Sequence, residues 1–139
     1  MVQLIVGEKG KGKTKQLLEK VNSEIKVISG NIVFLDKSTK HMYELNNKVR
    51  LIDVSDYFIE NPDNFIGFVS GVISQDHDLE KLYVDNLLVL SKSTLDNLDD
   101  LIEKLERIGD KYNVDFVFSL SAKESDLPPK AKSKVIIAL

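Results

Sequence analysis

The stretch Gly7-Glu8-Lys9-Gly10-Lys11-Gly12-Lys13-Thr14 decides how the rest of this chain is read. It satisfies every fixed position of the pattern G-x-x-x-x-G-K-[ST], a loop whose backbone folds around phosphate groups. Its surroundings are those the mechanism needs. Val2–Val6 is a short apolar run, read as a buried strand. Leu17, Leu18, Val21 and Ile25 recur at helical spacing and predict a helix over about Lys13 to Lys26. Three of the chain's 7 glycines fall in this one loop. They permit backbone angles and close approach that side chains block. The loop amides and the helix N-terminus then converge on phosphate oxygens. The expected nucleotide contacts are Gly7, Glu8, Lys9, Gly10, Lys11, Gly12, Lys13, Thr14 and Lys15. Lys13 is expected to reach the β- and γ-phosphates and the Thr14 hydroxyl to ligate Mg²⁺, while Lys9 and Lys11 add positive charge near the site.

Outward from the loop, short apolar runs alternate with amphipathic stretches. Gly30 and Asn31 read as the exit turn of the first helix, and Ile32–Leu35 as a second buried strand ending at Asp36. Ser38 to Asn47 reads equally as a helical turn or a hairpin arm, and Val49–Val54 as a third strand. Asn61-Pro62-Asp63 has the form of cap, first helical residue and first-turn acid. Phe65, Phe68, Val69, Val72 and Ile73 give that helix an apolar face, and close packing against the sheet is the expected reason for Gly67 and Gly71. Lys81–Asp85 is a fourth strand. Ser93 or Thr94 caps a long helix with apolar positions Leu95, Leu98, Leu101, Ile102, Leu105, Ile108 and Tyr112. Val114–Leu120 is a fifth strand, Ala122 to Lys132 a polar connection, and Val135–Leu139 a last short strand. This alternation predicts an α/β fold, a mainly parallel sheet with helices on both faces, formed as a single P-loop domain over residues 1–139. Ligands of such sheets sit beyond the carboxyl ends of the strands.

Composition narrows the class. A chain of 139 residues with 42% hydrophobic and 29% charged residues suits one soluble domain. A formal charge of -3 gives no global attraction to nucleic acid or to an anionic membrane. Aromatic residues make up 7%, without interleaved basic residues, so stacking on single-stranded nucleic acid gains no support. The absence of cysteine excludes disulfides, thiolate metal sites and a cysteine nucleophile. Met1–Val6 lacks the basic start and longer apolar core of a signal peptide, and no apolar stretch approaches the ~20 residues that span a bilayer. The expected location is cytoplasmic.

Leu82-Tyr83-Val84-Asp85 is an apolar strand ending in an acid, the form of a Walker B element, with Asp85 the expected Mg²⁺ partner of Thr14. Together with the loop, the Asp36 strand end and the Ser119/Ser121 strand end, it resembles the core of RecA-like P-loop proteins. It is also similar to small ATP-binding proteins of Gram-positive anaerobes labelled as twitching-motility ATPases. That label is not carried over, because the chain is far too short for the extra domains of those motors. The RecA-like resemblance implies that another strand, here Val114–Leu120, separates the Walker B strand from the phosphate-loop strand. It also implies that Ser119 or Ser121 faces the γ-phosphate as a polar sensor.

The chain departs from the family in one respect. RecA-like ATPases supply a glutamate that orients the attacking water, either directly after the Walker B acid or two residues beyond the acid of the second strand. Those positions hold Asn86 and Ser38 here, and neither accepts a proton as a carboxylate does. Asp36 and Asp53 end neighbouring strands and are the candidate substitutes, so Asp36 joins Lys13 as a candidate catalytic residue and turnover is expected to be slow. Arg50 and Arg107 are the only arginines, and neither is an evident finger.

Other groupings carry less. Ser121-Ala122-Lys123 resembles the base-binding element of GTPases, but the stronger N-K-x-D element is absent, which favours ATP over GTP. His41 and His77 are the only histidines, and Asp76-His77-Asp78 reads as a polar turn rather than a metal site. Lys123, Lys130, Lys132 and Lys134 form a basic segment of the kind usually found as a solvated loop. Three functions compete. The first is a slow ATPase or ATP-dependent switch using ATP and Mg²⁺, read by an unknown protein partner through the segments after Asp36 and Asp85. The second is a non-hydrolysing nucleotide sensor. The third is a small-molecule kinase using Asp36 or Asp53 as base.

Overall fold

The computed structural model describes the whole chain, Met1–Leu139. Its strands are β1 (Val2–Gly7), β2 (Asn31–Asp36), β3 (Arg50–Asp53), β4 (Leu79–Val84), β5 (Asp115–Ser121) and β6 (Val135–Ala138). They form one 6-stranded sheet in the order β3-β2-β4-β5-β1-β6, with every neighbouring pair parallel. β5 therefore lies between β4 and β1, as the RecA-like resemblance implies. The helices are α1 (Lys13–Glu24), α2 (Pro62–Ser74), α3 (Leu87–Ser91), α4 (Leu98–Tyr112) and α5 (Pro129–Lys132).

Strand alternation sorts the core into two layers. Ile5, Ile32, Phe34, Tyr83 and Val117 project to one face and pack on Leu17, Leu18 and Val21 of α1 and on Ile25 just after it. Leu4, Val6, Val33, Leu35, Leu82, Val84, Phe116, Phe118 and Leu120 project to the other, against α2, α3, α4 and α5. Burying a side chain of this size contributes ~1.5–3 kcal/mol, so the apolar runs read in the sequence become strands because both sheet faces are covered. The phenol of Tyr83 donates to Glu24 Oε2 at 2.6 Å. Glu24 also meets Lys20 at 2.8 Å and Lys81 at 2.7 Å. This network ties the C-terminal end of α1 to β4.

Local sequence sets the helix starts. Asn61 Oδ1 accepts the Asn64 N–H at 2.8 Å, and Pro62 occupies the first turn of α2. Thr94 opens the long helix through a single 3₁₀ turn, with its N–H donating to Asn97 Oδ1 at 2.9 Å. Several expectations are corrected. α1 stops at Glu24, before Lys26. The third strand is shorter than Val49–Val54, because the Asp53 carboxylate accepts from the Ser55 N–H at 2.9 Å and turns the chain into a 3₁₀ turn at Val54–Asp56. Of the two readings of Ser38–Asn47, the structure shows turns, closed by Met42 N–H to Thr39 O and Glu44 N–H to His41 O, and no hairpin arm. Gly67 and Gly71 are exposed, and a Cβ at either would meet nothing within 4 Å, so close packing is not their reason. Tyr112 ends the apolar stripe of α4 53% exposed.

Candidate functional site

The carboxyl ends of β1, β2, β4 and β5 converge on a polar cleft of about 230 Å³ with no hydrophobic residue in its lining. The phosphate-loop sequence forms its floor. Gly10 and Gly12 have φ of 85° and 92°, the left-handed region in which a side chain is strained. Gly7 is closely packed instead. A Cβ there would lie 3.1 Å from Leu139 Cβ and 3.2 Å from Leu139 O. Gly12 is the N-cap of α1, so the first-turn amides of that helix have no intrahelical acceptor. Within the loop, Lys11 N–H donates to Glu8 O at 3.3 Å. Such a run of free amides at a helix N-terminus is a concavity suited to an anion.

Lys13, 8% exposed, folds back across the loop and its Nζ donates to Glu8 O at 3.0 Å. Burial pushes its pKa down, and the nearby charge of Asp85 pulls it back up. Thr14 Oγ1 lies 3.0 Å from Asp85 Oδ2 and 3.3 Å from Oδ1, joining residues 71 positions apart. Asp85 follows β4 directly and its N–H donates to Leu35 O at 3.1 Å, which continues the sheet pairing and fixes the carboxylate over the loop. Ser119, 1% exposed, lies behind it. Its Oγ donates to Asp85 Oδ1 at 2.7 Å and accepts the Asn86 N–H at 2.7 Å. Its hydroxyl therefore braces the Asp85 turn. Ser121 lines the cleft from the end of β5, in register with Gly7.

Asp36 ends β2 only 2% exposed. Oδ1 accepts the Lys37 N–H at 2.7 Å, while Oδ2 is buried without a hydrogen-bond partner. Burial raises its pKa. The Lys37 amide opposes the rise, Asp85 adds to it, and His41 and Lys40 oppose it. Ligand atoms of Asp36, His41 and Asp85 lie within 4.8 Å of one another.

Lys9, Gly10, Gly12, Lys13, Thr14, Asp36, Asp85, Ser119 and Ser121 thus line one cleft. Glu8 contributes its carbonyl to Lys13. Lys11 and Lys15 do not line it, and Lys15 faces a shallower hollow beside Glu19. Asp53 is committed to Ser55, whose Oγ it holds at 2.6 Å, and lies outside the cleft. Arg50 is exposed on β3, and Arg107 lines a groove between α2 and α4. In the basic tail-side segment, Lys134 pairs with Glu106, and the Lys130 and Ala131 amides dock on Asp99 at 3.0 and 2.8 Å.

Sequence reasoning missed His41. It sits in the irregular segment after Asp36, which Asn22 of α1 pins in place. Asn22 Nδ2 donates to Glu44 O at 2.8 Å, and its Oδ1 accepts the Asn46 N–H at 2.8 Å. Buried Leu45 and Val49 complete the docking on the α1 layer. No periodicity in that segment signals this placement.

The donor set suits a hard cation bound beside a polyphosphate: a hydroxyl, two carboxylates, one of them with a buried unpartnered oxygen, and an ammonium beside a run of free amides. The strand order, the loop and the strand-end acids define the class of fold, that of RecA-like P-loop proteins. No family model and no curated protein matches the chain. Among solved structures it is similar to a KaiC-like protein from the hyperthermophilic archaeon Pyrococcus horikoshii OT3, with a TM-score of 0.66 and 16% identity over 95% of this chain and 67% of that one. That likeness concerns the fold. It supports the RecA-like core and does not extend to the twitching-motility label. No helix is long and apolar enough to cross a membrane.

Proposed function

We propose that this chain binds Mg-ATP in the Gly7–Thr14 loop and works as a slow ATPase or ATP-dependent switch. The observation that carries the reading is the meeting of Thr14 Oγ1 with the Asp85 carboxylate at 3.0 Å, beside a loop shaped by two left-handed glycines. That pairing of a helix-start hydroxyl with a strand-end acid is what a cation bridging β- and γ-phosphates requires. Bound Mg-ATP supplies an activated phosphoryl group. The chain supplies the rest: amides and Lys13 for the phosphate charge, Thr14 and Asp85 for the cation, and Ser119 to hold Asp85 in place.

Asp36 is the acid of the cleft left to assist the chemistry, through the cation or by accepting a proton at Oδ2. Its burial and raised pKa suit a base better than an exposed carboxylate would. It is a substitute for the family's glutamate, so turnover is slow. The segments flanking the cleft supply a surface for a protein partner. Tyr43 and Phe58 are 92% and 90% exposed, and Val89 on α3 is 44% exposed. A nucleotide-dependent rearrangement there would be read by that partner in the cytoplasm.

Asn86 favours a second reading, a nucleotide sensor that does not hydrolyse. It occupies the position after Asp85 where relatives carry an acid, and its φ of 63° together with the Ser119 bond fixes it there. A thermal-shift panel of ATP, GTP and their diphosphates with Mg²⁺, on wild type and Lys13→Ala, tests binding, because ligand linkage raises Tm in proportion to RT ln(1 + [L]/Kd). Phosphate release assayed alongside separates the two readings. ATP stabilisation lost in Lys13→Ala supports the site, and no shift with any nucleoside triphosphate refutes it.

A further inference from the structure

His41 brings a nitrogen donor to a cluster that the sequence pattern describes only in oxygen. One ring nitrogen lies within 4.8 Å of carboxylate oxygens of both Asp36 and Asp85. Its Nδ1 lies 3.3 Å from Glu44 Oε1. In the tautomer that donates Nδ1–H to Glu44, the imidazole lone pair resides on Nε2. A histidine that ligates a metal usually donates its other ring N–H to a carboxylate, which fixes the tautomer and raises the basicity of the ligand. The arrangement is anchored, since the Asn22 bonds and the burial of Leu45 hold the His41–Glu44 turn against α1.

Independently of the histidine, Asp36 points to a cation. Asp36 is 2% exposed, its Oδ2 has no hydrogen-bond partner, and its carboxylate belongs to the cluster with His41 and Asp85. A buried acceptor without a donor costs ~1–3 kcal/mol, and more when charged. A divalent ion relieves that cost and the repulsion between Asp36 and Asp85 together.

We infer that Asp36, His41 and Asp85 form a site for a borderline divalent cation of the first transition row, of which Mn²⁺ is the working probe. The inference deepens the nucleotide-site reading, and rests on it for the role of Asp85, by naming the cation that the cleft prefers. Mg²⁺ is held by oxygen ligands in near-ideal octahedral geometry. Imidazole alongside carboxylates shifts preference toward transition metals. The three side chains leave the remaining coordination positions to water or phosphate oxygens. Asp36 then serves as a cation-holding residue, which accords with slow or absent hydrolysis.

The test is calorimetric titration of the chelator-treated full chain with MnCl₂ and, separately, MgCl₂, without nucleotide. Mn²⁺ is expected to bind at one site about tenfold or more tightly than Mg²⁺. His41→Ala and His41→Gln are expected to weaken Mn²⁺ about tenfold or more while leaving Mg²⁺ within about twofold, and Glu44→Ala to weaken Mn²⁺ by a smaller factor. His77→Ala, the other histidine, should change neither. Bound Mn²⁺ should show ¹⁴N modulation in its electron spin echo, and His41→Ala should abolish it. Equal affinity for the two ions in wild type, or Mn²⁺ binding unchanged in both His41 variants, overturns the inference. The Mg-ATP thermal shift of wild type and His41→Ala keeps the two readings apart. A shift retained while Mn²⁺ preference is absent refutes the metal site alone. Mn²⁺ binding with no ATP shift leaves the metal site standing and refutes the nucleotide reading.

Discussion

Replacing Ser119 by alanine tests whether this hydroxyl holds Asp85 or waits for a phosphate. Ser119 is 1% exposed, and its Oγ makes two bonds of 2.7 Å, one to Asp85 Oδ1 and one from the Asn86 N–H. A hydrogen bond to a charged group contributes ~1.5–3 kcal/mol and a neutral one ~0.5–1.5 kcal/mol. Their sum is an upper limit, because Thr14 still donates to Asp85 and the neighbouring turn relaxes. Ser119→Ala is therefore expected to destabilise the chain by ~2 kcal/mol, read as a lower urea midpoint at unchanged m. With Asp85 less firmly oriented, the affinity for Mg-ATP should fall ~10-fold, equivalent to ~1.4 kcal/mol. Ser119→Cys keeps a donor at the γ position, though a larger and weaker one, and should retain part of the lost Mg-ATP affinity. Stability within ~0.5 kcal/mol of wild type, accompanied by a loss of Mg-ATP affinity, would refute the bracing argument and assign Ser119 to the phosphate instead.

Three further outcomes follow from the geometry. Gly67→Ala and Gly71→Ala should each raise stability by ~0.5–1 kcal/mol, because both positions lie in an exposed helix face with room for a methyl group; a loss in either midpoint would mean that the face is covered. Gly12→Ala should cost ~1–2 kcal/mol, although its Cβ meets no atom within 4 Å, because its φ of 92° penalises any side chain; an unchanged midpoint would show that the loop relaxes freely. Glu24 is pushed upward by burial, but the bonds from Lys20, Lys81 and Tyr83 outweigh this and hold its pKa at about 2 against an ordinary 4.5. A depressed acid stabilises the fold fully above its unfolded pKa, and that stabilisation is lost as pH falls through the folded value. Allowing for solvent screening, ~1–2 kcal/mol should disappear between pH 4.5 and pH 2, measured by urea titration, and Tyr83→Phe should shrink the loss.

The strand–glycine loop–helix unit and most elements were legible in the sequence, because each is a local pattern. The loop is a run of adjacent residues, a buried strand is a short apolar run, and α4 declares itself through a spacing that repeats every turn. Asn61-Pro62-Asp63 locates the start of α2 for the same reason. The position of β5 between β4 and β1 came from the family resemblance, since pairing of distant strands leaves no local trace.

Only the tertiary structure decided which acids face the cleft. Asp36 and Asp53 both end strands, yet the first is buried beside Asp85 and the second is taken up by Ser55. Folding alone brings Ser119 behind Asp85, 34 positions away. His41 lines the neighbouring hollow and comes within 4.8 Å of the Asp36 and Asp85 carboxylates through an irregular segment held by Asn22, a placement that no periodicity encodes. Gly67 and Gly71 carry the complementary lesson, since their spacing fixes a shared helix face while only packing determines whether that face meets the sheet or solvent. Local backbone preference writes elements into sequence, and the burial and pairing of side chains far apart along the chain assemble the site.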